Sequence, residues 1–304
     1  MEVIQQLHSG HKEFINDTAF DYYMKRMASC SADGMICIWR KDGNNQWVFE
    51  NSIKAHTSLI SKIEWAHPIF GSMLVACLYN SGFKLFEEQV SFDGSSSWNC
   101  VYESCRNLKS PCDVSFCPHK FGLKIATATL EGKILIESPL NSINETWTTM
   151  STIRLDSECY CISWSKDIRQ EDMTIAVGTK QDAQIWSLDH TTNEWKQLYI
   201  LKGHGGIVRS VSWANNIGHS FERIATGCSD GLVRIYEIDQ NGATLKASLE
   251  GHKKPVWKVE WNVTGTLLAS SGDNNSVRIW KQKSDKSWYC CSEVTNNKPD
   301  IVSK

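Results

Sequence analysis

Residues 203–236 read GHGGIVRSVSWANNIGHSFERIATGCSDGLVRIY, and this one stretch contains a complete structural unit. Alternating residues run from Val208 to Trp213, a Gly-containing connection follows, and a second apolar run, IATGCS, stops at Asp230-Gly231. A third run, LVRIY, ends on an aromatic. Alternation at the two-residue period, punctuated by Gly, Asn and Asp, is the signature of short strands joined by turns.

The unit recurs along the chain. An aromatic closes the first run at Phe20, Trp65, Phe116, Trp164, Trp213 and Trp261, spaced 45 to 51 residues apart. The end of the third run falls at Trp39, Phe86, Glu137, Trp186, Tyr236 and Trp280, and its spacing drifts in step with the first landmark. After each third run comes a polar turn and one more short run, such as WVFENSI, EWKQLYI or WYCCSEV. Four strands per copy at this repeat length predict the blades of a β-propeller, whereas helical solenoids need a 3.6-residue apolar period that is missing. The expected fold is all-β: one six-bladed propeller over residues 1–294, with 1–8 as a surplus N-terminal strand and a polar tail at 295–304.

Composition narrows the function classes. A formal net charge of -2 lacks the basic footprint of a phosphate-backbone binder, so no direct nucleic-acid partner is expected. No apolar run of about 18 residues offers a membrane span, and MEVIQQLHSGHK lacks a secretory pattern, which points to the cytosol or nucleus. Of twelve cysteines, Cys30, Cys37, Cys77, Cys117, Cys161 and Cys228 sit in or beside apolar runs and read as small buried hydrophobes. Neither the Cys159/Cys161 nor the Cys290/Cys291 spacing is that of a zinc knuckle. No metal, cofactor or nucleophile motif occurs, and no catalytic residue is assigned.

A His precedes the first strand at His11, His56, His204 and His252. With the turns SADG and SDG and the terminal aromatics, this pattern resembles the WD-repeat family. In that family the His, the turn Asp and the terminal Trp are tied together through a Ser or Thr, a buried polar set that must be satisfied as a whole. His11, Asp33 and Trp39 make the complete set in copy one; His204 and Asp230 in copy five, and His252 and Trp280 in copy six, are partial members. The other turn positions read Asn80, Glu131, Lys180 and Asn274, so the network is expected to be mostly lost there. The His-Asp pairs recur at equivalent points of different copies, which makes them structural and not catalytic.

A strand is left over. Copy six supplies its own fourth strand, yet Val3, Ile4, Gln5, Gln6 and Leu7 still precede the first GH. Either this run closes blade six and the C-terminal run lies outside, or the propeller is open and a partner must cover exposed strands. Counting does not separate the two. Phrases along the chain, among them DTAFDYYMKRMASCSADG, IEWAHPIFGSMLVAC, DVSFCPHKFGLKIAT and VEWNVTGTLLASSGDNNSVRIWK, resemble the nucleoporin Seh branch of the Sec-thirteen-like WD-repeat propellers. The resemblance implies a six-bladed open propeller completed by a three-stranded blade from an α-helical stack nucleoporin. It implies a non-catalytic scaffold of the Y-shaped nuclear pore subcomplex, among other pore subunits. It also implies a second address, with the regulatory complex on the lysosome or vacuole that relays amino-acid supply to TOR kinase. Residues 3–7, together with Val256, Val259 and Trp261 of blade six, are the expected partner contacts. Two other readings remain: a Sec-thirteen-type vesicle-coat propeller, and a closed adaptor reading peptides near Arg209 and Trp257.

Overall fold

The computed structural model describes residues 5, 7–92, 96–104, 110–141, 143, 146–167, 171–189 and 191–295. They form six four-stranded antiparallel sheets, each made of four strands consecutive in sequence. The first blade comprises β1 (Ile15–Phe20), β2 (Arg26–Ser31), β3 (Met35–Lys41) and β4 (Trp47–Lys54). The second comprises β5 (Ile60–Trp65), β6 (Met73–Leu78), β7 (Gly82–Val90) and β8 (Ser96–Glu103). The third comprises β9 (Pro111–Phe116), β10 (Ile125–Thr129), β11 (Lys133–Pro139) and β12 (Trp147–Arg154). Blade four has β13 (Cys159–Trp164), β14 (Thr174–Thr179), β15 (Ala183–Asp189) and β16 (Glu194–Leu201). Blade five has β17 (Val208–Trp213), β18 (Glu222–Cys228), β19 (Val233–Asp239) and β20 (Gly242–Leu249). Blade six has β21 (Val256–Trp261), β22 (Leu267–Gly272), β23 (Ser276–Gln282) and β24 (Trp288–Thr295). This is the all-β, six-bladed WD-repeat fold that the spacing predicts. The chain divides into two compact units, Glu2–Tyr160 and Cys161–Lys304.

Why the third-strand landmark drifts in step with the first is now physical. In all six blades the pairing of third and fourth strands shifts register at the landmark: Ile38/Trp39, Leu85/Phe86, Ile136/Glu137, Ile185/Trp186, Ile235/Tyr236 and Ile279/Trp280. The residue does not end the strand, as its position suggests, because β3 continues to Lys41 and β23 to Gln282. It sits at a bulge, which sharpens the right-handed twist of the blade. Middle strands carry the core: all six residues of β6 and of β14 are buried. Blade three has a buried Glu137 in place of the aromatic, and Trp147 of its fourth strand packs on blade two, stacked on Tyr102 at 5.0 Å and edge-on to Phe83 at 5.9 Å. Turn glycines are held by geometry as well. Gly34 has φ +75°, and a Cβ there would lie 2.3 Å from the His56 carbonyl oxygen.

The cysteines behave as buried apolar side chains. All six singled out by their positions are buried free thiols. Burial pushes the Cys37 thiol up to about 11 and the Cys117 thiol up to about 12. Among the described residues no group of three His, Cys, Asp or Glu could hold a metal ion, and no helix is long and apolar enough to cross a membrane.

Candidate functional site

Two sets of residues need placing: the polar set inside the blades and the expected partner contacts. In blade one, the loop before β1 carries His11, whose Nδ1 lies 3.3 Å from Asp33 and whose Nε2 lies 2.7 Å from the Ser29 hydroxyl on β2. Burial alone would raise the Asp33 carboxyl, but hydrogen bonds from the Lys12 and Met35 N–H groups and the nearby His11 hold it below the usual range. Trp39 is buried and stands edge-on to Phe49 at 6.2 Å, so it contributes by packing while the bonded chain ends at Ser29.

Blade six corrects the expectation that the set is lost where the turn lacks an Asp. His252 Nδ1 lies 3.1 Å from the Asn274 amide oxygen, its Nε2 is 2.7 Å from Ser270 Oγ, and Trp280 Nε1 donates to the same hydroxyl at 2.8 Å. The relay from turn to terminal Trp is therefore complete here, because an amide oxygen accepts as a carboxylate oxygen does. Blade five keeps both residues but separates them. His204 Nε2 reaches Thr226 at 2.8 Å, while Asp230 accepts from Arg234 at 2.7 Å and from the Gly205 N–H at 2.8 Å. Burial and the Arg234 charge push the His204 imidazole down to about 4. Asp230 is held down at about 2: burial opposes this, but Arg234 and the Gly205 and Leu232 N–H groups outweigh it.

In blade two, His56 turns to its own loop, accepting from Ser58 N–H at 3.2 Å and facing the Ser58 hydroxyl at 3.0 Å. These sets occupy separate blades and lie inside them. They are built to fix loop, turn and strand to one another.

The expected partner contacts divide differently. Val256 and Val259 of β21, with Trp261, are buried in one cluster with Ala225, Val233 and Ile235 of blade five. Their side chains hold blade six to blade five and are not open to a partner, which corrects their assignment as contacts. Of residues 3–7, Val3, Ile4 and Gln6 lie outside the described residues, and neither Gln5 nor Leu7 is in a strand. Gln5 instead clasps the start of β4: its side-chain amide donates to the Trp47 carbonyl and accepts from the Trp47 N–H, each at 2.9 Å. Gln5 is thus fastened to blade one.

What sequence reasoning missed is the other face of blade six. Blades five and six superpose by register: Ala225 pairs with Ile235 as Ala269 pairs with Ile279, and Gly227 with Val233 as Ser271 with Val277. In blade five these side chains are sealed by blade six, with Val233 0% exposed. In blade six Val277 is 42% exposed, and Ala269 and Ile279 are only part-buried. An apolar face that is core in one blade lies uncovered in the next. Counting back by two from Ile279, the residue before Trp280, would have found Val277. Closer to the inner strands, Arg209 lies over the Trp257 ring at 4.3 Å, a cation–π pair within blades five and six.

Comparisons with known proteins agree with this frame. The WD domain, G-beta repeat model matches residues 2–40, 195–237 and 243–281. The chain is 31% identical to Nucleoporin seh1 of Schizosaccharomyces pombe over 96% of this chain and 96% of the relative. It is 31% identical to Nucleoporin SEH1 of Homo sapiens over 98% of this chain and 89% of the relative. Against Nucleoporin SEH1-A of Xenopus laevis the identity is 31% over 95% and 88%. With matching repeats and end-to-end similarity, the chain belongs to the SEH1 family of WD-repeat nucleoporins.

Proposed function

We propose that the six blades act as one open propeller, a non-catalytic scaffold subunit of the Y-shaped nuclear pore subcomplex, which an α-helical nucleoporin completes by inserting a three-stranded blade. The observation that carries this reading is the uncovered face of Ala269, Val277 and Ile279, whose counterparts in blade five are core. Covering a Val or Ile side chain of this kind is worth about 1.5–3 kcal/mol, so a packed partner blade gains what blade five already gains from blade six. Strand accounting supports it. The repeat matched at 195–237 begins in β16, the outer strand of the preceding blade, and that at 243–281 begins in β20. The match at 2–40 begins where an outer strand falls in those copies. Residues 3–7, of which Gln5 and Leu7 are in no strand in the free chain, would pair as that strand once the partner's blade is seated. The partner's three strands and residues 3–7 together make four.

The same mode of attachment would serve the amino-acid-sensing complex upstream of TOR kinase, at the lysosomal or vacuolar surface, which is the second address the family resemblance suggests. The test is co-purification from the chain's own cells. Val277→Asp with Ile279→Asp should abolish recovery of the helical nucleoporin while the isolated chain unfolds within a few degrees of the parent. Undiminished recovery by the double variant would exclude this face as the seat of the partner's blade. Recovery of vesicle-coat subunits instead would move the chain to the Sec-thirteen-like role by the same mechanism.

A further inference from the structure

The junctions of blades one and two, four and five, and five and six are made from the same two halves. The forward half is a trio on the second and third strands, Ala28, Ile36 and Ile38 in blade one and Ala176, Ala183 and Ile185 in blade four. The rear half is a trio on the first strand of the next blade, Ile60, Ile63 and Trp65 in blade two and Val208, Val211 and Trp213 in blade five. Each of these first strands slips register near its start, at Ile60/Lys62 and Val208/Ser210, and β1 slips at Ile15/Asp17. That shared slip aligns Ile15, Thr18 and Phe20 of blade one with the rear trios.

One half of each kind is left without its mate. Ile15 is 46% exposed, Phe20 44%, and Thr18 is exposed as well, whereas Ile60 and Val208 are fully buried. Phe20 is steadied by Trp47, whose ring lies 5.6 Å away. Blade six ends on the forward trio of Ala269, Val277 and Ile279, uncovered as described above. These two halves carry the residue classes and the register of halves that already fit each other inside the chain. Terminal repeats with an apolar outer face associate unless they are capped.

A polar clip is missing from this pair. Arg26 of blade one reaches Glu88 of blade two at 2.9 Å, and Arg223 of blade five reaches Gln282 of blade six at 2.7 Å. By register, Leu267 stands in blade six where the arginines stand, and Lys41 stands in blade one where Glu88 and Gln282 stand. A contact between the two terminal halves is therefore apolar, small and weaker than an internal junction.

We infer that, in the absence of a helical partner, blade six's forward face is occupied by blade one of a second copy of this chain, in a head-to-tail contact that the partner's blade displaces. The inference rests on the uncovered face used under the proposed function and adds its occupant in the free protein. The contact is heterologous, so each added copy leaves one free half at either end and the assembly can extend. With three apolar side chains meeting three and no ion pair, half-association is expected at about 10–100 μM, with single chains below about 1 μM.

The experiment is sedimentation velocity on the full chain from about 1 to 200 μM, with two variants, Val277→Asp with Ile279→Asp and Ile15→Asp with Phe20→Asp. The parent's average sedimentation coefficient should rise with concentration without levelling at a dimer, and should not fall between about 0.1 and 0.5 M salt. Each variant alone should stay a single chain. Their equimolar mixture should form a one-to-one dimer and stop there, because each keeps the half the other has lost. That dimer also shows that both variants are folded; Ile15→Ser with Phe20→Ser replaces the Asp pair if it lowers the thermal midpoint. A mixture that stays single would overturn the inference. So would association that only the blade six variant abolishes, which marks a contact of blade six with itself. A parent that stays single throughout overturns this inference alone if Val277→Asp with Ile279→Asp still loses the helical nucleoporin. A dimer in the mixture, with nucleoporin recovery undiminished by that variant, upholds the inference and removes the proposed seat of the partner's blade.

Discussion

Asn274 in blade six and Asp230 in blade five show that the residue at the turn does not by itself decide whether the polar set forms. The amide of Asn274 completes a chain of four groups, while the carboxylate of Asp230 is drawn away by Arg234 four positions on. Removing the shared hydroxyl with Ser270→Ala deprives His252 Nε2 of its donor and Trp280 Nε1 of its acceptor, and we expect a loss of about 1–3 kcal/mol in urea unfolding. The imidazoles set a pH dependence. Unfolded, His204 takes up its proton near 6.5, whereas in the fold it resists until about 4, so between these values the unfolded state holds more protons. Stability is unaffected by this group above pH 6.5 and falls as pH drops from there to 4, by about 1–3 kcal/mol for a half-buried ring. The buried His252 is shifted in the same direction. Asp230 adds a second loss, confined between its ordinary value of 3.8 and about 2. His204→Gln should remove roughly half of the decline between pH 6.5 and 4, as read from urea midpoints. At this scale the sequence shows which residues are present and where. It does not show that Arg234, one strand position past the turn, will capture the carboxylate, because that depends on side-chain reach in the folded blade.

Strands and turns were largely legible because alternation, aromatic landmarks and Gly turns are local signals. The bulge was not, since a single residue's change of register leaves the spacing intact and only the cross-strand pairing reveals it. Face assignment was half legible. Val256, Val259 and Trp261 were visible as the apolar face of β21, but a strand pattern does not say which neighbour that face meets. The two faces of adjacent blades give a paired prediction. Val233→Asp should unfold the chain or cost several kcal/mol, because it buries a charge among Val256, Val259 and Ile235. Val277→Asp, at the equivalent register, should cost less than about 0.5 kcal/mol in the free chain. Gly34→Ala should destabilise by at least about 1 kcal/mol, because φ +75° and the His56 carbonyl at 2.3 Å leave no place for a methyl group. Equal thermal midpoints for Gly34→Ala and the parent would contradict that reading.

For the whole molecule, the sequence count of one strand too many leaves an open and a closed propeller both possible, and the exposed face of blade six favours the open one. The count uses only repeat frames; the face uses only burial. Gln5 bears on both, since its side chain holds Trp47 of blade one while each blade's sheet, among the described residues, is built from its own four strands. Deleting residues 1–8 should therefore weaken partner recovery at moderate salt without lowering the urea midpoint by more than about 1 kcal/mol. Chemistry of the central claim is best read at one side chain. Val277→Cys in the full chain, labelled with maleimide and quantified by peptide mass spectrometry, should react readily when the chain is alone and be protected when it is isolated with its helical partner, while Val233→Cys stays unreactive in both. A thiol at 277 that reacts equally in the free chain and in the assembly would contradict the account.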